Sequence, residues 1–278
     1  MSDVTIQANT TVAIVYDFDG TLAPGSMQEH SFIPELGYSD PQVFWAEVKA
    51  EAERQDADGI LTYMQLMLQR SATPFSRADL AKHGAELPLF EGVREWFIRI
   101  NSFAGSLGLK CEHFVVSSGL REMIEASPIG SEFTHIFASG FSYSESGIAQ
   151  WPAVAINYTG KTQFLFRINK GLRTTWDDSG VNRWIPMKQR PVPFERMIFI
   201  GDGDTDIPAM KMVRLQGGTS IAVFDPREWA AANSREKMEL LIAEDRVSYV
   251  APADYRESSH LDVTVRGALR RMAPPAHR

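Results

Sequence analysis

Two carboxylates stand two positions apart at the end of an apolar run in "IVYDFDGTLAP", residues 14–24. In extended chain, positions i and i+2 face the same side, so Asp17 and Asp19 address one small volume. Their charges repel, and burying either is costly unless something compensates. Three further carboxylates close a second apolar run, "ERMIFIGDGDTD", at Asp202, Asp204 and Asp206. Hard oxygen ligands without cysteines or clustered histidines suit Mg²⁺. Such an ion offsets the repulsion and screens an approaching phosphate dianion.

The neighbouring residues fit phosphoryl transfer, which depends on positioning and charge stabilisation. One carboxylate can attack phosphorus and form an acyl phosphate. The other can protonate the leaving oxygen and then deprotonate the attacking water. That second task needs a raised pKa, which burial or a like-charged neighbour provides. "HFVVSSG" (113–119) ends another apolar run in Ser117, Ser118 and Gly119, offering hydroxyls and backbone N–H groups to phosphate oxygens. Ser117 competes with Ser118, since strand alternation keeps both from facing a site equally; Ser117 is favoured. A lysine at a helix start adds a fixed positive charge. Lys161, after "INYTG", is the first choice and Lys170 the next, while Lys188 falls in irregular chain.

These groups need a scaffold that gathers strand ends. "TVAIVYD" (11–17) reads as a central strand, and further strands are expected at 113–119, within "ERMIFIGDGDTD" (195–206), at 220–224 and at 247–252. Residues 135–160 read as hairpins. Between 40 and 108 the pattern is helical, with Asp40 as N-cap and Pro41 at the first helical position of "DPQVFWAEVKAEAERQ". "KTQFLFRINKG" reads as a helix closed by Gly171, and helices are expected at 227–244 and 258–272. Residues 171–193 read as an irregular insertion, with a turn at "DDSG" (177–180), and the tail "APPAHR" as loose. Strands alternating with helices make a mostly parallel α/β sheet, whose ligands bind at the carboxyl ends of the strands.

Composition narrows the class. The chain has 278 residues, 44% hydrophobic and 23% charged, enough for one large domain or a core with an insertion. A net charge of −7 argues against nucleic acid or an anionic membrane as the main partner. The single cysteine, Cys111, excludes an intrachain disulfide and a cysteine-rich zinc site. "MSDVTIQANTT" lacks the pattern of a secretion signal, and no apolar run approaches the roughly 18 residues of a membrane span, so the cytoplasm is the expected location.

"DFDGT", a strand ending in "VVSS", a downstream lysine and "GDGDTD" together resemble the four ordered motifs of the haloacid dehalogenase superfamily, most of whose members are Mg²⁺-dependent phosphatases. The resemblance implies a Rossmann-like core over 1–22 and 109–278 with a helical cap domain inserted at 23–108. It implies Asp17 as nucleophile and metal ligand, and Asp19 as general acid/base with its carbonyl on the metal. Thr21 would help fix the loop and, with Gly20, would contact the phosphate. Ser117, with Ser118, Gly119 and Lys161, would bind phosphate, Asp202 would coordinate Mg²⁺, and Asp206 would support the metal or the lysine. Asp204 takes a smaller role. The expected partner is a small phosphate ester, with no nucleic acid or membrane, and nothing in the sequence sets the oligomeric state.

The likeness is nearest to the phosphoserine-phosphatase branch, with two departures. That branch carries a cap glutamate nine residues after the nucleophile; Ser26 stands there instead, and the nearest acid is Glu29. The stretch between the lysine and "GDGDTD" is also long. His30 and Glu29 sit where the cap hinge enters, and structural or solvent roles are expected for both. The aromatics and methionines of 43–68 read as cap packing, and Phe32 as a possible pocket residue. A phosphomutase or phosphotransferase of the same fold, and a phosphate-binding regulator without turnover, are the rival readings.

Overall fold

The computed structural model describes residues 10–275. Residues 1–9, read above as lacking a secretion signal, and 276–278, the end of the tail read as loose, lie outside the described residues.

Seven strands form one sheet: β1 (Thr11–Tyr16), β2 (Lys110–Leu120), β3 (His135–Tyr143), β4 (Ala149–Val154), β5 (Met197–Gly201), β6 (Thr219–Phe224) and β7 (Tyr249–Pro252). Their spatial order is β4-β3-β2-β1-β5-β6-β7, with every pair parallel except β3/β4. β1 is therefore central. It is apolar on both faces because both are covered: Val12, Ile14 and Tyr16 belong to one core cluster, Ala13 and Val15 to the other. The 135–160 region does contain a hairpin, β3–β4, but β3 also joins the main sheet alongside β2.

Five α-helices lie between β1 and β2; the first four are α1 (Phe32–Glu35), α2 (Pro41–Gln55), α3 (Gly59–Arg70) and α4 (Arg77–Ala85). Asp40 caps α2 by accepting from the Gln42 N–H at 2.9 Å, with Pro41 at the first position. Ser76 and Asp79 form a reciprocal capping box on α4. The fifth helix, α5 (Val93–Ser106), lies against β2 and the last helix of the chain. α6 (Arg121–Ala126) follows β2, and α7 (Gly160–Asn169) ends before Gly171, whose positive φ of 73° suits a residue without a side chain. The 171–193 stretch is mostly irregular, but Asp177 caps a short helix there, α8 (Asp178–Asn182), rather than a simple turn. α9 (Ile207–Leu215) follows the last aspartate of "GDGDTD" directly. α10 (Ala232–Ala243) starts later than its sequence suggests, and α11 (His260–Met272) completes the fold, with Ala273 buried beyond it.

A buried polar chain pins α5 to the sheet. Trp96 Nε1 donates to Tyr16 Oη at 2.8 Å, so the Tyr16 hydrogen goes to His113 Nδ1 at 3.0 Å. That leaves the His113 proton on Nε2, 2.9 Å from Asn101 Oδ1. Burial pushes the His113 imidazole down to about 4, so the ring is neutral at ordinary pH. No helix among the described residues is long and apolar enough to cross a membrane.

Candidate active site

The carboxyl ends of β1, β2 and β5 lie side by side, and the polar residues that follow them meet there. Asp17 comes immediately after β1, and its N–H donates to the Ile200 carbonyl of β5 at 2.9 Å. The chain then turns sharply, with the N–H groups of Thr21, Leu22 and Ala23 all directed to the Phe18 carbonyl. Gly20 sits in this turn with φ of 69°, and a Cβ built there would lie 2.7 Å from Asp202 Oδ2. The loop after β1 and the loop after β5 are thus packed in direct contact, and only glycine fits between them.

Lys161, at the start of α7, is fully buried and joins two carboxylates. Its ammonium lies 2.8 Å from Asp17 Oδ2 and 2.6 Å from Asp206 Oδ1. Burial alone would push this ammonium down; Asp17 and Asp206 outweigh it and hold the pKa above the usual lysine range. Asp206 uses its other oxygen to accept from the Asp202 N–H at 3.1 Å, which fixes the loop carrying Asp202. Asp17, Asp202 and Asp206 each offer an oxygen within 4.8 Å of the others. The Phe18 N–H donates to Asp17 Oδ1 at 2.7 Å, completing the orientation of that side chain.

Asp19 faces the same space. Its Oδ1 accepts from the Met27 N–H at 2.8 Å, and a Cβ on Gly119 would come within 3.0 Å of its Oδ2. Burial, and next the Asp17 charge, push the Asp19 carboxyl well above the ordinary carboxylate range. Burial and Asp17 likewise raise Asp202, to about 6, and raise Asp206. The common cause is burial of several carboxylates close together, Asp17 raising each of the other three, which Lys161 offsets only in part. Such a donor set, all hard oxygen and under-compensated in charge, fits a divalent cation such as Mg²⁺.

Both serines of "VVSSG" reach the cavity wall. The register of β2 against β3 shifts between Ser117 and Leu120, and Ser117, Ser118 and Gly119 all line the cavity. Ser117 Oγ accepts from the Gly119 N–H at 3.0 Å, while the buried Ser118 hydroxyl has no partner among the described residues. Thr21 fixes the loop through its backbone: its carbonyl accepts from Tyr255 Oη at 2.9 Å, and its own buried hydroxyl has no described partner.

The structure separates the lysines. Lys170 donates to the carbonyls of Val181 and Arg183, which stitches the 171–193 stretch together and takes it away from the carboxylates. Lys188 lies in that same stretch. Asp204 is exposed, on the rim, 3.2 Å from Lys237 of α10. Phe32 is buried edge-on against Phe75 and is not among the lining residues. His30 bonds to the Pro24 carbonyl, and Glu29 accepts from Trp45 Nε1 at 2.6 Å.

A cavity of about 430 Å³ opens over these groups and reaches the helices that follow β1. Ser26, Gln28, Trp45, Ile60 and Tyr63 line it from that side. Tyr63 Oη donates to the Ser118 carbonyl at 2.9 Å, and Asn157 bonds to Asp58 at the start of α3. Sequence reasoning treated Trp45 and Tyr63 as packing and passed over Lys237. Lone residues on helices carry no spacing signal that would have distinguished them.

Comparison with known proteins agrees with this geometry. The haloacid dehalogenase-like hydrolase family matches residues 14–211. A protein from Borreliella burgdorferi, itself uncharacterised, is 28% identical over 229 residues, covering 73% of this chain and 78% of that one. Among solved structures, a substrate-bound phosphoserine phosphatase complex superposes with a TM-score of 0.56 at 15% identity, over 92% of this chain and 98% of that one. A phospho-aspartyl intermediate analogue of phosphoserine phosphatase gives a TM-score of 0.54 at 14% identity, over 93% of this chain and 99% of that one. At these identities the two structures share its fold.

Proposed function

Since this chain belongs to the haloacid dehalogenase-like hydrolase family, we propose that it is a Mg²⁺-dependent phosphatase that hydrolyses a small phosphomonoester through an aspartyl phosphate on Asp17. The observation that carries this reading is the Lys161 ammonium held between Asp17 and Asp206, with Asp202 beside them. Segments separated by well over a hundred residues converge on one carboxylate, which is oriented on both its oxygens.

Asp17 Oδ1 and Oδ2 are fixed by the Phe18 N–H and by Lys161, so the carboxylate is presented to phosphorus in one orientation. Lys161 stays protonated and offsets charge on the transferring phosphoryl group. Ser117, Ser118 and Gly119, with the Gly20–Thr21 turn, bind its oxygens; the unpartnered Ser118 hydroxyl supports this. Asp19, whose carboxyl is pushed upward, protonates the leaving oxygen and then takes a proton from the water that cleaves the acyl phosphate. Asp17, Asp202, the Asp19 carbonyl and Asp206 would hold Mg²⁺, with Asp206 shared with Lys161. When bound, the ion supplies charge neutralisation that lets a phosphate dianion approach a carboxylate.

In this reading residues 23–108 are the cap, over a core of 1–22 and 109–278. The cap excludes water and selects the leaving group, while α5 forms its return to the sheet. Trp45, Ile60 and Tyr63 on the cavity wall support that division. The test is release of inorganic phosphate from p-nitrophenyl phosphate and from a panel of natural esters. Turnover requiring Mg²⁺, abolished by EDTA and by Asp17→Asn, is expected. Metal-independent turnover, or full activity in D17N, would overturn the reading. Phosphate recovered on an acceptor alcohol instead of in solution would point to a phosphotransferase.

A further inference from the structure

A second cavity, of about 570 Å³, lies along the outer edge of the sheet. β4 pairs with β3 only from Gly140 onward, so residues 135–138 have no strand neighbour on that side among the described residues. Their edge forms the floor of the groove. Arg77 at the start of α4, Arg121 at the start of α6 and Arg173 in the loop after α7 all reach its walls.

The carboxylates near these arginines stand off. Glu122 is 3.8 Å from Arg77 and 3.7 Å from Arg121, Glu125 is 4.0 Å from Arg121, and Glu112 is 3.9 Å from Arg173. None of the three guanidinium groups donates a hydrogen bond to a described residue. By contrast, Arg227 and Arg256 each donate two or more bonds to an adjacent carboxylate. Glu122 is buried and shared by Arg77 and Arg121, which leaves Glu125 as the one acidic residue lining the groove itself. His135 on the floor registers the excess charge: burial, then Arg173 and Arg121, push its imidazole down. Trp176, 81% exposed, stands on the same wall.

Planar guanidinium forks with unused donors suit oxygen anions, and three of them suit an anion of more than one charge. We propose that this groove is a second binding site, for a small oxyanion carrying two or more negative charges, of the phosphate or polycarboxylate class. Its occupant joins α4, from the segment over the catalytic cavity, to α6, which directly follows the strand bearing Ser117–Gly119.

The experiment titrates full-length protein with pyrophosphate and, separately, with citrate, at constant ionic strength and without divalent cations. Binding is read by calorimetry and by tryptophan fluorescence. One saturable site is expected for at least one of the two anions, weakened tenfold or more in R121Q/R173Q and changed less than twofold in D17N. The fluorescence response is lost in W176F while the heat remains. Binding of one anion alone identifies its class. Should the double variant unfold, R173Q alone, on an exposed side chain, carries the test with the same tenfold expectation. Absence of saturable binding, equal affinity in the arginine variants, loss in D17N, or binding only to an acidic peptide and to neither small anion would each overturn the proposal.

Discussion

Lys161 Nζ lies 2.8 Å from Asp17 Oδ2, and both side chains are withdrawn from solvent. An ion pair in such a place is strongly coupled, so the lysine is structural and electrostatic at once. Replacing it with methionine leaves Asp17 and Asp206 facing each other without a cation. K161M is expected to lose roughly 3–5 kcal/mol of stability in the absence of metal, the usual cost of orphaning a buried charge. Phosphatase turnover is expected to fall at least a thousandfold. Urea denaturation and p-nitrophenyl phosphate assays read the two effects separately; an unchanged midpoint would contradict the first.

Gly20→Ala tests the contact between the two acidic loops. The added methyl would lie 2.7 Å from Asp202 Oδ2, at a backbone angle that alanine rarely adopts. The left-handed conformation alone costs about 1 kcal/mol, and the displaced carboxylate adds a loss of function. Turnover is expected to drop by a hundredfold or more, with a rise in the Mg²⁺ concentration needed for half-maximal rate. Activity within threefold of the parent would show that the loops move apart freely.

Divalent metal is expected to stabilise the fold, because the carboxylates repel one another. At a hundredfold excess over Kd, ligand binding contributes about 2.7 kcal/mol, or roughly 5–10 °C in Tm for a chain of this size. EDTA should reverse the rise. Asp202→Asn should raise the Tm of the metal-free protein and blunt the response to Mg²⁺. Scanning calorimetry with and without metal decides the matter, and a Tm indifferent to Mg²⁺ in the parent would remove the metal from the account.

The neutral His113 predicts a dependence of stability on pH that is independent of catalysis. Its folded pKa of about 4 lies below the ordinary 6.5, so between these values the unfolded chain binds more protons than the folded one. Stability is therefore complete above pH 6.5, falls as pH drops towards 4 and levels off below it, by roughly 3 kcal/mol in all. H113Q should flatten this part of the curve, although it will lower stability at pH 7 by disturbing Tyr16 and Asn101. Urea midpoints measured from pH 7.5 to 4 provide the check.

The contact across the cavity makes a milder prediction. Tyr63 donates to the carbonyl of Ser118 across the cavity. Y63F removes one neutral hydrogen bond, worth about 0.5–1.5 kcal/mol, and keeps the ring. A two- to tenfold rise in KM with kcat nearly unchanged is expected, and an equal loss in both would assign Tyr63 to the chemical step.

What the sequence made legible was local and redundant. Asp17, Asp19 and Asp202 stand in short patterns at the ends of apolar runs, where strand periodicity and clustered like charge point to one another. Lys161 was separable from Lys170 only by its place at the start of a helix; in the structure its ammonium lies between Asp17 and Asp206. The register shift near Ser117 could not be read, because it arises from pairing between strands and not from either strand alone. For the same reason β3 read as part of a hairpin, while its other edge, against β2, was invisible. Tyr63, Trp45 and Lys237 reach the cavity by tertiary packing of helices whose own patterns explain them as ordinary.

The strand order has a kinetic consequence. β1 is threaded between β2 and β5, whose residues arrive in the chain roughly a hundred and two hundred positions later. No early, locally folded portion can bring Asp17 to Lys161, and contacts of such long range form slowly. Recovery of catalysis after dilution from denaturant should accordingly be the last signal to return, trailing helical ellipticity, with no fractionally competent species along the way.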